Sequence, residues 1–114
     1  MLYHLEAGHD DALAAELAGC AAAENDPLWR MPLWRPYESL LESKTADINN
    51  VSSGNQGGSI TAALFLARFV ARAKAWVHVD VYAWTPSAKS ARPEGGECQA
   101  ARAFHALIKA RHRG

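Results

Sequence analysis

His78 and Asp80 stand two residues apart in the run Trp76-Val77-His78-Val79-Asp80-Val81-Tyr82-Ala83-Trp84. In a strand, that spacing puts both side chains on one face, where they could reach one metal ion or share one proton. A metal site needs a third ligand, and no HExxH, CxxC or second His pair supplies it. A hydrogen-bonded His and Asp at the wet edge of a sheet accounts for the same letters. A second candidate is the stretch 54–58, Gly-Asn-Gln-Gly-Gly, followed by Ser59 and an apolar run. Glycines leading into a helix suggest a phosphate cradle. The stretch lacks the Lys and Ser/Thr of a P-loop and the full GxGxxG pattern, so a flexible loop entering a helix is the stronger reading. Trp29, Trp34, Trp76 and Trp84 suit packing better than base stacking, because the charge around them is balanced. Ser39, Ser43 and Ser87 have no adjacent base to activate them.

The elements that must hold these residues follow from periodicity. Residues 10–24 predict a helix, capped by Asp10 or Asp11, with Leu13, Leu17 and Cys20 inward and Asn25-Asp26-Pro27 as its stop. Residues 28–35 read as an extended, buried loop, since Pro32 removes a ladder donor. Pro36 suits the first turn of a short helix over 37–43, with Tyr37, Leu40 and Leu41 inward. Ser59 caps a helix over 60–73 whose apolar residues surround most of its circumference, so more than one side requires cover. Residues 76–84 predict an interior strand, with Val77, Val79, Val81 and Ala83 on one face and Trp76, His78, Asp80, Tyr82 and Trp84 on the other. A Pro/Gly loop over 85–96 leads to a last helix over 97–111, with Ala101, Phe104, Leu107 and Ile108 inward and His105 and His112 facing solvent. Two minor strands are expected at 2–5 and 45–49. These are few neighbours for an interior strand, whose unpaired buried N–H and C=O groups would cost about 1–3 kcal/mol each. Either the sheet is very small, or most of it lies in sequence outside this chain.

The totals bound the class. The chain has 114 residues, one domain's worth, and half of them are apolar. Twelve Lys and Arg balance twelve Asp and Glu, so no global field recruits nucleic acid or anionic lipid. Cys20 and Cys98 lack CxxC spacing, and isolated thiols point to a reducing compartment, with a single bridge as the alternative. No signal-peptide pattern opens the chain and the longest apolar run, 60–67, is too short for a membrane span, so a cytoplasmic protein is the expectation.

Three blocks sharpen the reading: Leu-Trp-Arg-Met-Pro-Leu-Trp from Leu28, Ser-Lys-Thr-Ala-Asp-Ile-Asn-Asn from Ser43, and Gly-Ser-Ile-Thr-Ala-Ala-Leu-Phe-Leu from Gly58. In order and spacing they resemble the tail of the leucyl aminopeptidase family. Trp76-Val77-His78-Val79-Asp80 is similar to that family's Trp-Ala-His-Leu-Asp strand. Ala83-Trp84-Thr85-Pro86 and Arg92-Pro93-Glu94-Gly95-Gly96-Glu97 resemble a bacterial subgroup. The resemblance covers the chain from Asp10 onward and is weak over 1–9.

It implies an α/β fold: a partial mixed sheet flanked by helices, the C-terminal portion of an aminopeptidase catalytic domain, with 1–114 as a single partial domain. The implied protein is a hexameric exopeptidase acting on peptide substrates, with two divalent metal ions, Mn or Zn, that activate the attacking water. The family's ligands are a Lys, three Asp and a Glu, two of them in an Asn-Thr-Asp-Ala-Glu-Gly-Arg motif that also holds a catalytic Arg, and a catalytic Lys lies near the earlier ligands. None of these runs occurs in this chain. Asp47 and Asp80 match no ligand position, so neither a metal ligand nor a catalytic residue is assigned, and no metal is expected to bind the chain alone. Carried over instead is pocket lining. Val51 matches a position contacting the leaving side of the peptide bond, and Tyr82 and Thr85 match positions lining the pocket for the N-terminal side chain. Tyr82 stands where many members keep a small residue. The functional expectation is an aminopeptidase segment inactive alone. The alternatives are a non-catalytic binding or assembly module derived from that fold, and a small hydrolase built on His78 and Asp80.

Overall fold

A computed structural model of the chain describes residues 2–4 and 11–112. Helix α1 (Asp11–Ala23) buries Ala14, Leu17 and Ala21, a small-residue stripe that lets a second helix approach closely. The proposed Asp10 cap lies outside the described residues; Asp11 instead pairs with Arg30 at 2.5 Å. The Asn25-Asp26-Pro27 stop is a Schellman turn. Asn25 takes φ 50°, its N–H donates to Ala22 O at 3.3 Å, and the Asp26 N–H donates to Ala21 O at 2.9 Å.

Past that turn the chain forms β2 (Trp29–Met31), which pairs in parallel with β1 (Leu2–His4). The expectation of an unpaired, buried loop fails here, because Pro32 falls just beyond the paired residues. Trp29 and Trp34 are 71% and 54% exposed. β1 also pairs antiparallel with β3 (His78–Asp80), so the mixed sheet runs β2-β1-β3. Among the described residues the central strand is therefore β1, and the strand expected to be interior stands at the edge of these three. That strand is also shorter than 76–84. Ala83 adopts φ 49° and breaks the alternation, so Trp84 joins a separate hairpin of β4 (Trp84–Thr85) and β5 (Gly95–Gly96), inside the segment read as a loop. No strand forms over 45–49, where the Ser43 hydroxyl accepts from the Thr45 and Ala46 N–H groups and bends the backbone.

A 3-10 helix (Arg35–Leu41) carries Pro36 in its first turn and buries Leu41. It packs on α2 (Gly58–Ala67), which also meets β1 and β3. α2 is shorter than the expected 60–73. After Ala67 the bonds tighten to three-residue spacing, from Arg68, Phe69 and Val70 N–H back to Phe65, Leu66 and Ala67 O. Within the described residues α2 buries Thr61, Ala63 and Leu64 and leaves Leu66 exposed, as is Phe69 just beyond it, so only part of the apolar surface expected over 60–73 is covered. The last helix, α3 (Ala101–Arg111), begins later than residue 97 because Ala100 sits at φ 65°. Ala103 and Leu107 face α1; Ala101 and Ile108 are exposed, so the buried face is rotated from the expected one.

The α1–α3 contact is the main core, with Leu13, Cys20, Leu28, Val77, Val79 and Phe104 packed around it. At its surface Arg111 Nε donates to Glu16 at 2.9 Å, and this bond holds the Glu16 carboxyl below its usual range. Both side chains are about half exposed, and a surface pair of this kind adds little to stability. Cys20 and Cys98 are free thiols.

Candidate functional site

The two blocks that carry the subgroup resemblance, 83–86 and 92–97, are separated by a five-residue turn and pair with each other in the structure. Trp84 pairs with Gly96 and Thr85 with Gly95. Thr85 is buried, and its hydroxyl donates to Glu97 Oε2 at 2.9 Å. Arg92 donates to the other oxygen of the same carboxylate. The Glu97 N–H donates to Ala83 O at 2.9 Å, and the Ala83 N–H donates to Gln99 Oε1 at 3.1 Å. Glu97, read from sequence as the start of a helix, is instead the hub that fixes the end of the hairpin. A cavity of about 180 Å³ opens beside it, lined by Thr85, Arg92, Glu97, Cys98 and Arg102 among others.

Tyr82, two residues before β4, is 75% exposed. Val51 lies in the loop between the 3-10 helix and α2 and is 74% exposed. Its neighbours Asn50 and Ser52 line a groove of about 410 Å³ with Leu41, Thr61, Phe65 and Leu66. Thr85 and the two neighbours of Val51 thus line different hollows.

The loop 54–58 has a packing role. Gly57 occupies the cap position of α2 at φ 68°, and no side chain caps it there. A Cβ on Gly57 would come within 2.8 Å of Tyr37 Cε2, whereas one on Gly58 would meet nothing within 4 Å. Gly57→Ala is therefore expected to destabilise by about 2 kcal/mol, from the left-handed backbone and the clash. Gly58→Ala, inside the helix, is expected to be neutral or to stabilise by up to about 1 kcal/mol. Urea midpoints of the two variants should move in opposite directions or differ by that sum; equal midpoints would contradict the role given to Gly57.

His78 is half-buried on β3 in register with His4, and Asp80 is exposed at the strand end. Among the described residues no three His, Cys, Asp or Glu side chains converge. The acids with the firmest geometry are already engaged, Asp26 by the start of α3 and Glu97 by Thr85 and Arg92. The described residues do not fit a two-metal centre.

Asp26 is the residue that sequence reasoning missed most clearly. It is 1% exposed, and its carboxylate accepts from the N–H groups of Ala100 and Arg102 at 3.1 Å and Ala103 at 3.2 Å. The Arg102 guanidinium lies 3.3 Å away. This carboxylate caps α3 from 74 residues upstream.

The profile of the cytosol aminopeptidase family, catalytic domain, matches residues 4–106. A probable cytosol aminopeptidase of Rhizobium johnstonii is 49% identical over 73 residues, covering 64% of this chain and 14% of that protein. One from Roseiflexus castenholzii is 42% identical over 90 residues, covering 76% of this chain and 18% of the relative. Among solved structures, the cytosol aminopeptidase of Coxiella burnetii superposes with a TM-score of 0.81 at 40% identity, over 95% of this chain and 23% of that one. The bottromycin maturation enzyme BotP, solved in complex with Mn, superposes with a TM-score of 0.84 at 30% identity, over 96% of this chain and 24% of that one. The chain spans less than a quarter of each of these proteins. Sequence and fold agree along nearly its whole length, and the chain belongs to the cytosol aminopeptidase family.

Proposed function

We propose that this chain forms the C-terminal, substrate-facing part of a metal-dependent leucyl-type aminopeptidase that releases N-terminal residues from peptides. The observation that carries the proposal is the family profile running from residue 4 to residue 106, through every block on which the sequence resemblance rests. In this reading Tyr82 and Thr85 border the pocket for the N-terminal side chain and Val51 the leaving side. The catalytic Lys and Arg and the ligands for two divalent metals, Mn or Zn, belong to the rest of the domain. When bound, those metals supply the activated water. The Mn complex of BotP supports that metal class, and the relatives' designation as cytosol aminopeptidases supports a cytoplasmic setting. A hexameric assembly is part of the same reading.

The contribution of this chain to catalysis is then positional. Glu97 holds Thr85 through its hydroxyl while Arg92 holds Glu97, so the pocket wall is fixed before substrate arrives. Tyr82, two residues before β4, is exposed, and in this reading its phenol occupies space that a leucine side chain would fill. In the protein carrying the whole domain, Tyr82→Ala is expected to raise kcat/KM for Leu and Phe substrates relative to Ala and Gly substrates. Pocket discrimination of this kind is worth about 1–3 kcal/mol per methylene, or roughly 10–200-fold. A Leu-to-Ala ratio that stays within about twofold of the parent's assigns Tyr82 to packing instead.

A further inference from the structure

Ala83 stands at φ 49°, a left-handed conformation that a Cβ disfavours. Such a conformation persists only where the surroundings hold it, and it clusters at sites of function. Here both peptide units that flank the Ala83 Cα are held. The Ala83 N–H donates to Gln99 Oε1 at 3.1 Å, and the Ala83 carbonyl accepts from the Glu97 N–H at 2.9 Å. Because peptide units are planar, fixing these two fixes the φ and ψ between them. The Gln99 backbone is itself tied down. Its N–H donates to Glu97 O at 3.0 Å, and the next N–H, of Ala100, donates to the buried Asp26 carboxylate at 3.1 Å. Tyr82 and Thr85 are three residues apart, and an unbroken strand would point them to opposite faces. Any pocket that both border therefore needs the strand to break between them, and Ala83 is where it breaks.

We infer that Gln99 is a positioning residue for selection of the substrate's N-terminal side chain. Its amide oxygen holds the turn at Ala83 that lets Tyr82 and Thr85 serve one pocket. The inference rests on the pocket reading above and adds the group that sets the pocket's shape. Without that oxygen the Ala83 N–H loses its partner, and the backbone relaxes toward the extended conformation that alanine prefers. Tyr82 then turns to the face opposite Thr85, and its phenol no longer narrows the pocket. Gln99 touches neither substrate nor metal in this account; it acts through Ala83.

The test has two readouts. On the 114-residue chain, hydrogen exchange at the Ala83 amide is expected to quicken about tenfold in Gln99→Met, which keeps the side-chain length and loses the oxygen. Gln99→Glu keeps an oxygen acceptor and should stay within about threefold of the parent. In the protein carrying the whole domain, Gln99→Met is expected to raise the ratio of kcat/KM for Leu over Ala substrates about fivefold or more, in the direction of Tyr82→Ala. In a Tyr82→Ala background it should add less than about twofold, because both changes act on one side chain. A merely structural Gln99 would lower kcat/KM for both substrates together and leave the ratio alone. Unchanged Ala83 exchange in Gln99→Met overturns the inference, as does a ratio that Tyr82→Ala moves and Gln99→Met does not. A full effect of Gln99→Met in the Tyr82→Ala background also overturns it, as does Gln99→Glu behaving like Gln99→Met. A ratio that neither Tyr82→Ala nor Gln99→Met moves, or a whole-domain protein that releases no amino acid, overturns the pocket reading and the inference with it. If Gln99→Met does not fold, Ala83→Val decides by the same ratio, because a β-branched residue opposes the left-handed turn directly.

Discussion

Asp26→Ala is expected to destabilise the fold by about 3–5 kcal/mol, the range for removing one partner of a buried charged network. The carboxylate is almost fully buried and takes three backbone N–H bonds at the start of α3. Without it, three donors near the core lose their partner, at about 1–3 kcal/mol for each that stays dry. Arg102 softens the loss, because its side chain is 45% exposed and can turn to water. Asp26→Asn keeps one acceptor and loses the charge, so about 1.5–3 kcal/mol is expected. Domains of this kind are stable by about 5–15 kcal/mol in all, so the alanine variant would unfold at markedly lower urea. Hydrogen exchange should quicken first at the amides of residues 100, 102 and 103. A loss below about 1 kcal/mol, with those amides still protected, would show that α3 does not depend on this cap.

The same residue shows where sequence reading stops. Asn25-Asp26-Pro27 is legible as the end of α1, because an Asn in the left-handed region followed by Pro is local chemistry. That Asp26 then caps a helix more than seventy residues away is a tertiary fact with no periodic signal. Helices α1 and α2 were legible from apolar spacing, and the α/β class with a partial mixed sheet followed from the family resemblance. The strand at 76–84 was only partly legible: alternation continues through Ala83, but the positive φ there splits the run into β3 and a hairpin. Glu97 was misplaced for a similar reason. Its helix-favouring neighbours outweighed a partnership with Thr85 and Arg92 that only the folded hairpin creates. Trp29, Trp34 and Trp84 were expected to pack and are half or more exposed or nearly so, at 71%, 54% and 48%. Among the described residues nothing covers their indole rings, nor the groove beside α2. The candidate pocket residues came from resemblance rather than from spacing, and the structure places Val51 and Thr85 beside separate hollows.

The second large effect concerns catalysis. The isolated 114-residue chain is expected not to hydrolyse leucine amides or p-nitroanilides, even with Mn²⁺ or Zn²⁺ added. The sequence lacks the family's Asn-Thr-Asp-Ala-Glu-Gly-Arg motif, and a two-metal site depends on its ligands for affinity and for water activation. A protein carrying this chain with the rest of the domain should turn over the same substrates in a chelator-sensitive way. Enzymatic accelerations of about a million-fold or more separate these two outcomes, so modest assay noise cannot blur them. The most direct measurement is therefore a side-by-side leucine-p-nitroanilide assay of the isolated chain and the whole-domain protein, with and without Mn²⁺ and a chelator. The account predicts no turnover from the isolated chain and metal-dependent turnover from the whole domain. Chelator-sensitive turnover that tracks the peak of the isolated chain, or a whole-domain protein that folds, binds metal and releases no amino acid, would contradict it.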